Sequence, residues 1–240
     1  MIVNISAYKF IAIDKVKTLQ VLLKAKCESL TLLGTILLGD EGINMNLAGK
    51  NSDIESFKSY LLSMPAFCDI VFKESESAEY PFEKLVVRVK NEIVTIRDGR
   101  AQPLKEQGHY VSPEVFKSWL DENRDMVVLD TRNAFEYDIG TFDSAVHLDL
   151  KNFSEFPTKL KQLPDAVKTK TVVTFCTGGI RCEKAVLVMK EEGFTDVYQL
   201  QGGILNYFEK YQNTHFRGDC FVFDNRLTLN GQLQENGGNV

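Results

Sequence analysis

The chain lacks the features that mark a membrane or secreted protein. A transmembrane helix needs about 20 consecutive apolar residues, and no apolar run in the 240-residue sequence approaches that length. The amino terminus has no charged segment followed by an apolar core, so no signal peptide is indicated. The five cysteines are odd in number and spread out, which fits a reducing compartment rather than a disulfide framework. We therefore expect a cytoplasmic protein with no membrane partner.

Clustered metal ligands and an excess of positive charge are also missing. The three histidines are far apart and no Cys-x-x-Cys pair occurs, so the sequence predicts no metal site. The net charge is −5, with 13 basic and 13 acidic residues in positions 1–100 and 15 basic against 20 acidic in the rest. Composition therefore does not indicate a nucleic-acid-binding protein, although a local basic groove would not show in such totals.

Residues 1–104 alternate strand and helix patterns. Asp14 and a Ser52-x-x-Glu55 capping box mark two helix starts, and the second helix is expected to end near Met64. The predicted strands cover residues 2–10, 30–38, 43–48, 70–73 and 85–89, and a further candidate strand lies at 91–96. The order strand-helix-strand-strand-helix-strand predicts a ferredoxin-like α+β domain.

The hairpin between the second and third of these strands has an unusual sequence. Gly39-Asp40-Glu41-Gly42 is followed closely by Asn44. One interpretation is a polar turn whose glycines supply positive φ. The other is a loop that presents Asp40, Glu41 and Asn44 to a substrate, and these three are our candidate substrate-binding residues.

A polar linker with glycine and proline, residues 98–109, separates this half from the next, and we place the boundary near residue 105. Ser112 and Pro113 predict the N-cap and first residue of a helix. In residues 105–212, strands alternate with helices, which predicts a second, α/β domain with a mainly parallel sheet. Residues 213–240 are a C-terminal extension.

The chemistry of the chain centres on Cys176, which follows a buried strand at Thr171–Phe175 and precedes a loop ending at Arg181. The loop residues between them are Thr177, Gly178, Gly179 and Ile180. Backbone N–H groups of such a loop, the helix start after it and a nearby arginine all favour a thiolate. The alternative is a buried structural cysteine beside a glycine turn. We predict that Cys176 and Arg181 are catalytic.

The spacing Cys-x-x-x-x-Arg resembles the active-site loop of rhodanese domains, in which the cysteine carries a persulfide sulfur. Cysteine phosphatases have one more residue before the arginine, so the shorter loop argues against a phosphate substrate. Other rhodanese-like motifs follow in the family's order, including Asp130-x-Arg132 and Glu136-Tyr137. The resemblance covers residues 111–211.

Several residues around the loop have both a structural and a functional interpretation. Asp130 and Arg132 either hold the loops around the site or act in it directly, because a buried carboxylate must be paired. Cys182 either packs the first helical turn or resolves an oxidised or persulfidated Cys176. His147 is expected to be a structural or surface residue.

Three segments narrow the resemblance: residues 34–49 (GTILLGDEGINMNLAG), 176–184 (CTGGIRCEK) and 216–226 (FRGDCFVFDNR). With the domain order, they resemble a bacterial family of oxygen-dependent tRNA uridine hydroxylases that make 5-hydroxyuridine at the wobble position. The resemblance implies an oxidoreductase whose partner is the tRNA anticodon loop, with molecular oxygen as co-substrate, an electron or sulfur donor, and no other evident cofactor. Similar proteins often carry a longer, cysteine-containing tail, so any function of such a tail is expected to be absent from residues 1–240.

Two other functions fit the same loop. A plain sulfurtransferase would take sulfur from thiosulfate or a persulfide donor, and it needs the same stabilised thiolate. A non-catalytic docking module on a rhodanese fold is disfavoured, because Cys176 and Arg181 are both intact. The N-terminal domain and residues 216–226 favour the hydroxylase over the sulfurtransferase, since a simple sulfur carrier needs neither.

Overall fold

Two units make up the chain in the computed structural model, which describes residues 1–235. The first unit comprises Met1–Val94 and Phe223–Arg226, and the second comprises Thr95–Val222 and the chain from Leu227 onward. The end of the predicted extension, residues 236–240, lies outside the described residues. Across residues 1–235, no helix is both long enough and apolar enough to cross a membrane.

The first unit has the predicted ferredoxin-like arrangement. Its elements are β1 (Ile2–Phe10), α1 (Val16–Ser29), β2 (Leu33–Gly39), β3 (Gly42–Lys50), α2 (Asn51–Leu62), β4 (Lys73–Ser77) and β5 (Leu85–Val89). The strand order is β4-β1-β3-β2-β5, in which β5 runs parallel to β2 and the other neighbours are antiparallel. Alternate strand residues such as Ile5 and Met45 share one core with Leu23 of α1 and Phe57 of α2. The predicted hairpin is confirmed, with Gly39 paired to Gly42.

Both predicted helix caps in this unit are wrong. The N-cap of α1 is Lys15 rather than Asp14, and no side chain caps the helix. The α2 helix begins at Asn51, so Ser52 lies within its first turn instead of capping it. Burial accounts for the start of α1, since Val16, its first residue, is already part of the core.

Two predicted strands are also misplaced. The fourth strand is Lys73–Ser77 rather than residues 70–73, and Ile70 instead packs into the core after a short 3₁₀ helix. Residues 91–96 form no strand. The N–H of Ile93 donates to Glu41 Oε1 (2.7 Å), and its carbonyl accepts from Asn44 Nδ2 (3.1 Å). Side chains thus satisfy this backbone in place of a neighbouring strand.

A short segment of the C-terminal extension belongs to the first unit. The buried guanidinium of Arg226 binds Asp224 (Nε to Oδ1, 2.8 Å) and Ser75 Oγ (2.8 Å). The N–H of Asn225 donates to the carbonyl of Pro81 at 3.0 Å. The extension is therefore divided between the two units.

The second unit is an α/β domain. Its elements are β6 (His109–Val111), α3 (Pro113–Asp121), β7 (Val127–Asp130), α4 (Ala134–Ile139), β8 (Gly140–Phe142), β9 (Val146–His147), α5 (Phe156–Leu160), β10 (Thr171–Phe175), α6 (Ile180–Glu191), β11 (Asp196–Leu200), α7 (Gly203–Tyr211), β12 (Phe216–Gly218), β13 (Cys220–Phe221) and β14 (Thr228–Leu229). The main sheet has the order β6-β11-β10-β7-β9 and every pair is parallel, as predicted. Ser112 caps α3 as predicted, accepting the N–H of Val115.

The linker and the rest of the extension pack within this second unit. Arg100 pairs with Glu192 at 2.5 Å, and Lys190 pairs with Glu106 at 2.8 Å, so ion pairs join the linker to the end of α6. In the extension, β12 pairs with β8 and β13 pairs with β14, both antiparallel. These pairs place Cys220 and Phe221 of β13 close to the loop that follows β10, as the contacts of Thr177 show below.

Candidate active site

The cysteine loop, residues 176–181, lies between β10 and α6 at the carboxyl end of the central strand. Gly179 is the N-cap of α6 and has φ of 102°, a conformation that favours glycine. Its N–H donates to Cys176 Sγ at 3.1 Å. Cys176 is only 1% exposed, whereas Thr177, Gly178 and Ile180 are partly exposed. The sulfur therefore lies at the floor of the loop.

The thiol of Cys176 is prepared as a thiolate. Burial by itself would raise its pKa, but a hydrogen bond from Cys182 and the charge of Arg181, with loop N–H groups, outweigh burial and lower the pKa to about 6. At pH 7 the thiolate form of Cys176 is therefore favoured over the thiol. Burial and the hydrogen bond to Cys176 raise the pKa of Cys182 well above its ordinary value. Of the two neighbouring thiols, Cys182 therefore keeps its proton and Cys176 carries the charge.

Arg181 is held by a carboxylate that the sequence analysis did not single out. Its two terminal nitrogens each lie 2.7 Å from an oxygen of Glu136, and both side chains are buried. Burial opposes the charges, but the pairing raises the pKa of Arg181 and lowers the pKa of Glu136. Glu136 also accepts the N–H of Asn133 at 3.1 Å. The arginine is thus fixed in place beside the sulfur.

A sequence signal for Glu136 was available. It stands three residues after Asn133 at the start of a helix, the spacing at which a carboxylate reaches back to the first backbone N–H. That pattern predicts a side chain turned toward its own helix start. It does not predict that the other side of the carboxylate meets Arg181, 45 residues later in the chain.

The start of α7 supports the cysteine loop from behind. The N–H groups of Ile204 and Leu205 donate to the carbonyls of Cys176 (3.0 Å) and Thr177 (3.1 Å). Gly203 has φ of 67°, and a Cβ there would lie 2.4 Å from the Cys176 carbonyl oxygen. Only glycine allows this approach, which gives a physical reason for the two glycines at 202 and 203.

Asp130 and Arg132, the predicted supporting residues, form a fully buried ion pair at 2.7 Å. Arg132 also donates to the carbonyl of Gly140 (2.5 Å), and Thr141 donates to Asp130 Oδ2 (2.9 Å). Burial works against the charge of Arg132, but Asp130 outweighs it and raises the pKa of the guanidinium. Their contacts join the end of β7 to β8, which is a structural connection beside the site.

The other buried cysteines have raised pKa values. Burial raises the pKa of Cys220 and of Cys27 to about 12. Cys182 lies 3.6 Å from Thr131 Oγ1 and is fully buried. Cys68 is exposed. Of the four buried cysteines, Cys176 is therefore the one whose pKa is lowered.

The predicted substrate-binding residues lie in the first unit. The side chains of Glu41 and Asn44 bind the backbone of Ile93, as described above. Asp40 is exposed, and its carbonyl accepts the N–H of Ile13 at 3.1 Å. Two of the three side chains thus have a structural task within their own unit.

The His147 ring stacks on Tyr137 at 4.0 Å between centroids and accepts the N–H of Asp149. Within the part of the chain that the structure describes, no group of three or more His, Cys, Asp or Glu residues is arranged to hold a metal ion.

Comparisons with known proteins agree with this architecture. Residues 2–93 match the UPF0176 acylphosphatase-like domain family, and residues 112–210 match the rhodanese-like domain family. The chain is 48% identical over 241 residues to a tRNA uridine(34) hydroxylase of Cupriavidus necator, covering 98% of this chain and 86% of that protein. It is 45% identical over 240 residues to a protein of the same name from Burkholderia thailandensis, covering 96% and 81%.

Proposed function

This chain belongs to the family of tRNA uridine(34) hydroxylases, and on that premise we propose that it converts uridine 34 of tRNA to 5-hydroxyuridine. The observation that carries the proposal is the position of Cys176 in a rhodanese-type loop, where the N–H of Gly179 donates to its sulfur at 3.1 Å and its pKa is lowered to about 6. Hydroxylation at C5 requires electron density on a ring that is electron-poor. A thiolate that adds to the neighbouring carbon supplies it.

The proposed reaction begins with a bond between Cys176 Sγ and C6 of the uracil ring. The electron pair of the C5–C6 double bond moves toward the O4 carbonyl, so C5 becomes nucleophilic and attacks molecular oxygen. A two-electron donor such as a thiol, with protons from solvent, then cleaves the O–O bond and releases water. Loss of the C5 proton re-forms the double bond and expels the Cys176 thiolate. The net reaction consumes uridine, oxygen, two electrons and two protons.

The loop residues have separate tasks in this scheme. Arg181 and the N–H of Gly179 hold Cys176 ionised until the base arrives, and they stabilise it again as the leaving group. Glu136 keeps Arg181 in place. The anticodon loop is single-stranded, so turning one base out of its stack toward Cys176 costs little.

A sulfur-transfer function uses the same thiolate and is the main competitor. In that case Cys176 takes a sulfur atom from a donor and passes it on, or relays an oxidised sulfur species, without bonding to the base. Identity near 48% along 98% of the chain to a hydroxylase supports the first proposal. The two routes differ in whether the Sγ atom of Cys176 ever forms a covalent bond to the RNA.

The test is mass spectrometry of tRNA nucleosides after reaction with the wild-type protein and with Cys176→Ser. We expect 5-hydroxyuridine only with the wild type, and Cys68→Ser, which changes an exposed cysteine, serves as the matched control. An anticodon stem-loop with 5-fluorouridine at the wobble position should trap a covalent complex through Cys176, because fluorine cannot leave as a proton does. Normal hydroxylation by Cys176→Ser would falsify the assignment. Lost activity without a trapped complex would favour the relay route.

A further inference from the structure

An exposed aromatic ring lies next to the carboxylate that holds Arg181. Phe135, on the first turn of α4, is 46% exposed, whereas its neighbour Glu136 is fully buried. The Phe135 ring meets the ring of Phe221 at 4.9 Å between centroids and at 88°. An edge-on contact covers at most one face of either ring. Phe135 is therefore held by a neighbour while at least one of its faces is not covered by that neighbour.

Two routes of contact, through Phe221 and through Glu136, connect the Phe135 ring to the cysteine loop. The hydroxyl of Thr177, the residue after Cys176, lies 3.4 Å from the carbonyl oxygen of Phe221. The same hydroxyl lies 3.5 Å from Glu136 Oε1 and 3.4 Å from Arg181 Nη2. Phe135 precedes Glu136 in the chain and packs on Phe221, and both of these residues contact the cysteine loop. By either route, one residue separates the exposed ring from the cysteine loop, and we call this position the rim of the site.

The net negative charge of residues 101–240 indicates that contacts to the RNA bases, rather than to the phosphates, are needed in this half of the chain. Positions 101–240 contain 15 basic and 20 acidic residues, so this half has little general attraction for phosphate. Bases of single-stranded RNA are held mainly by stacking on aromatic side chains and by hydrogen bonds to their edges. An exposed phenyl ring that packs on Phe221, a residue in contact with the cysteine loop, meets the first of these requirements.

We propose that Phe135 is the stacking surface for the pyrimidine ring of the RNA nucleotide that reacts at Cys176. The inference rests on the proposed function and adds the substrate contact that places the base over the loop. Stacking holds the base before and during reaction to a similar extent, so its loss should raise KM more than it lowers kcat. From alanine substitution at other base-stacking sites, kcat/KM should fall about 5- to 150-fold.

The kinetic test uses the full chain and a wobble-uridine anticodon stem-loop RNA. Phe135→Ala and Phe135→Leu should both show the loss in kcat/KM, because leucine keeps the apolar volume but not the flat face. Phe135→Tyr should restore most of the rate. Val115→Ala, at an equally exposed apolar position on α3, is the control and should match the wild type. Alkylation of Cys176 by iodoacetamide should follow the same pH curve in all of these variants, which separates a lost contact from a damaged loop.

A binding measurement decides the proposal independently of turnover. The chain has one tryptophan, Trp119, so Phe135→Trp in a Trp119→Phe background puts a single fluorophore on the rim. Stacking predicts quenching by the stem-loop RNA and much weaker quenching by the same RNA with an abasic wobble nucleotide. Equal quenching by both RNAs, or equal kcat/KM for Phe135→Leu and the wild type, would overturn the proposal. If the wild type formed no 5-hydroxyuridine, the proposed function would fail, and the comparison of the two RNAs would still decide whether this position stacks on the base.

Discussion

Replacing Arg181 with glutamine should raise the pKa of Cys176 and shift its reactivity to higher pH. Arg181→Gln removes the positive charge but keeps the backbone N–H that also favours the thiolate. It leaves Glu136 as a buried carboxylate without its partner, which adds an unfavourable negative charge near the sulfur. Both changes disfavour the thiolate, so the direction of the shift is the same for each.

The size of the effect follows from the charge that is lost. An opposite charge at close range shifts a pKa by about one to three units. We therefore expect the pKa of Cys176 to rise from about 6 by roughly one to two units, because Cys182 and the loop N–H groups still act. The thiolate fraction at pH 7 would fall from about 90% to between about 50% and about 10%. Breaking the buried pair should also lower the free energy of unfolding by about 3–5 kcal/mol.

The assay is the initial rate of iodoacetamide labelling of Cys176 against pH, read by peptide mass spectrometry so that the other four cysteines do not contribute. Urea unfolding of each variant gives the stability. The double variant Glu136→Gln with Arg181→Gln is the matched control, because it removes the stranded carboxylate as well. It should recover most of the lost stability and have a pKa for Cys176 between those of the wild type and the single variant.

Two results would refute this reasoning. A labelling midpoint that stays near pH 6 in Arg181→Gln would mean that the loop N–H groups and Cys182 alone keep Cys176 ionised. A double variant that is no more stable than Arg181→Gln would mean that the Glu136 carboxylate is not stranded when its partner is removed. Either result would mean that Arg181 supports the cysteine loop through its shape rather than through its charge.

Three further outcomes are expected. Folding lowers the pKa of Cys176 from 9.0 to about 6. The free energy of unfolding of the wild type, minus that of Cys176→Ser, should therefore increase by at most about 4 kcal/mol as the pH rises from 6 to 9. Urea titrations measure this difference, and a difference that does not change with pH would contradict the shift. Gly203→Ala should lower the free energy of unfolding by about 2 kcal/mol or more, because the added Cβ would clash with the Cys176 carbonyl oxygen. Gly99 has open space around it, so the control Gly99→Ala should change the free energy of unfolding by under about 0.5 kcal/mol. Cys182→Ala should move the labelling midpoint of Cys176 upward by about one unit or less, and an unchanged midpoint would show that its hydrogen bond is not needed.

Local sequence determined the elements whose signals are contained within a few residues. The turn between Gly39 and Gly42, the Ser112 cap of α3 and the strand leading to Cys176 all follow from side-chain type and backbone preference at neighbouring positions. The same holds for the expectation that Cys176 would be the ionised cysteine, since the glycine loop, helix start and arginine that favour it are adjacent in the chain. These features need no knowledge of distant contacts.

Helix starts and strand ends in the first unit were harder to predict because burial competes with local signals. Asp14 and Ser52 are good capping residues, yet α1 begins at Val16, which is already in the core, and α2 begins at Asn51, one residue before Ser52. The β-branched run around Ile93 has a strand-like pattern, but side chains of the hairpin bind its backbone first. In each case, the competing partner lies far away in sequence.

The tertiary structure alone decided which groups complete the site. Glu136 reaches Arg181 across 45 residues, and the N–H groups of Ile204 and Leu205 fix the carbonyls of the cysteine loop. Phe135 stands beside Phe221 only because β13 runs past the loop. The sequence predicts Cys176 as the nucleophile because the electrostatic field around a thiolate is set largely by its neighbours in the chain. The residues that hold its counter-ion and line its rim come from separate elements, and only the packing of the parallel sheet brings them together.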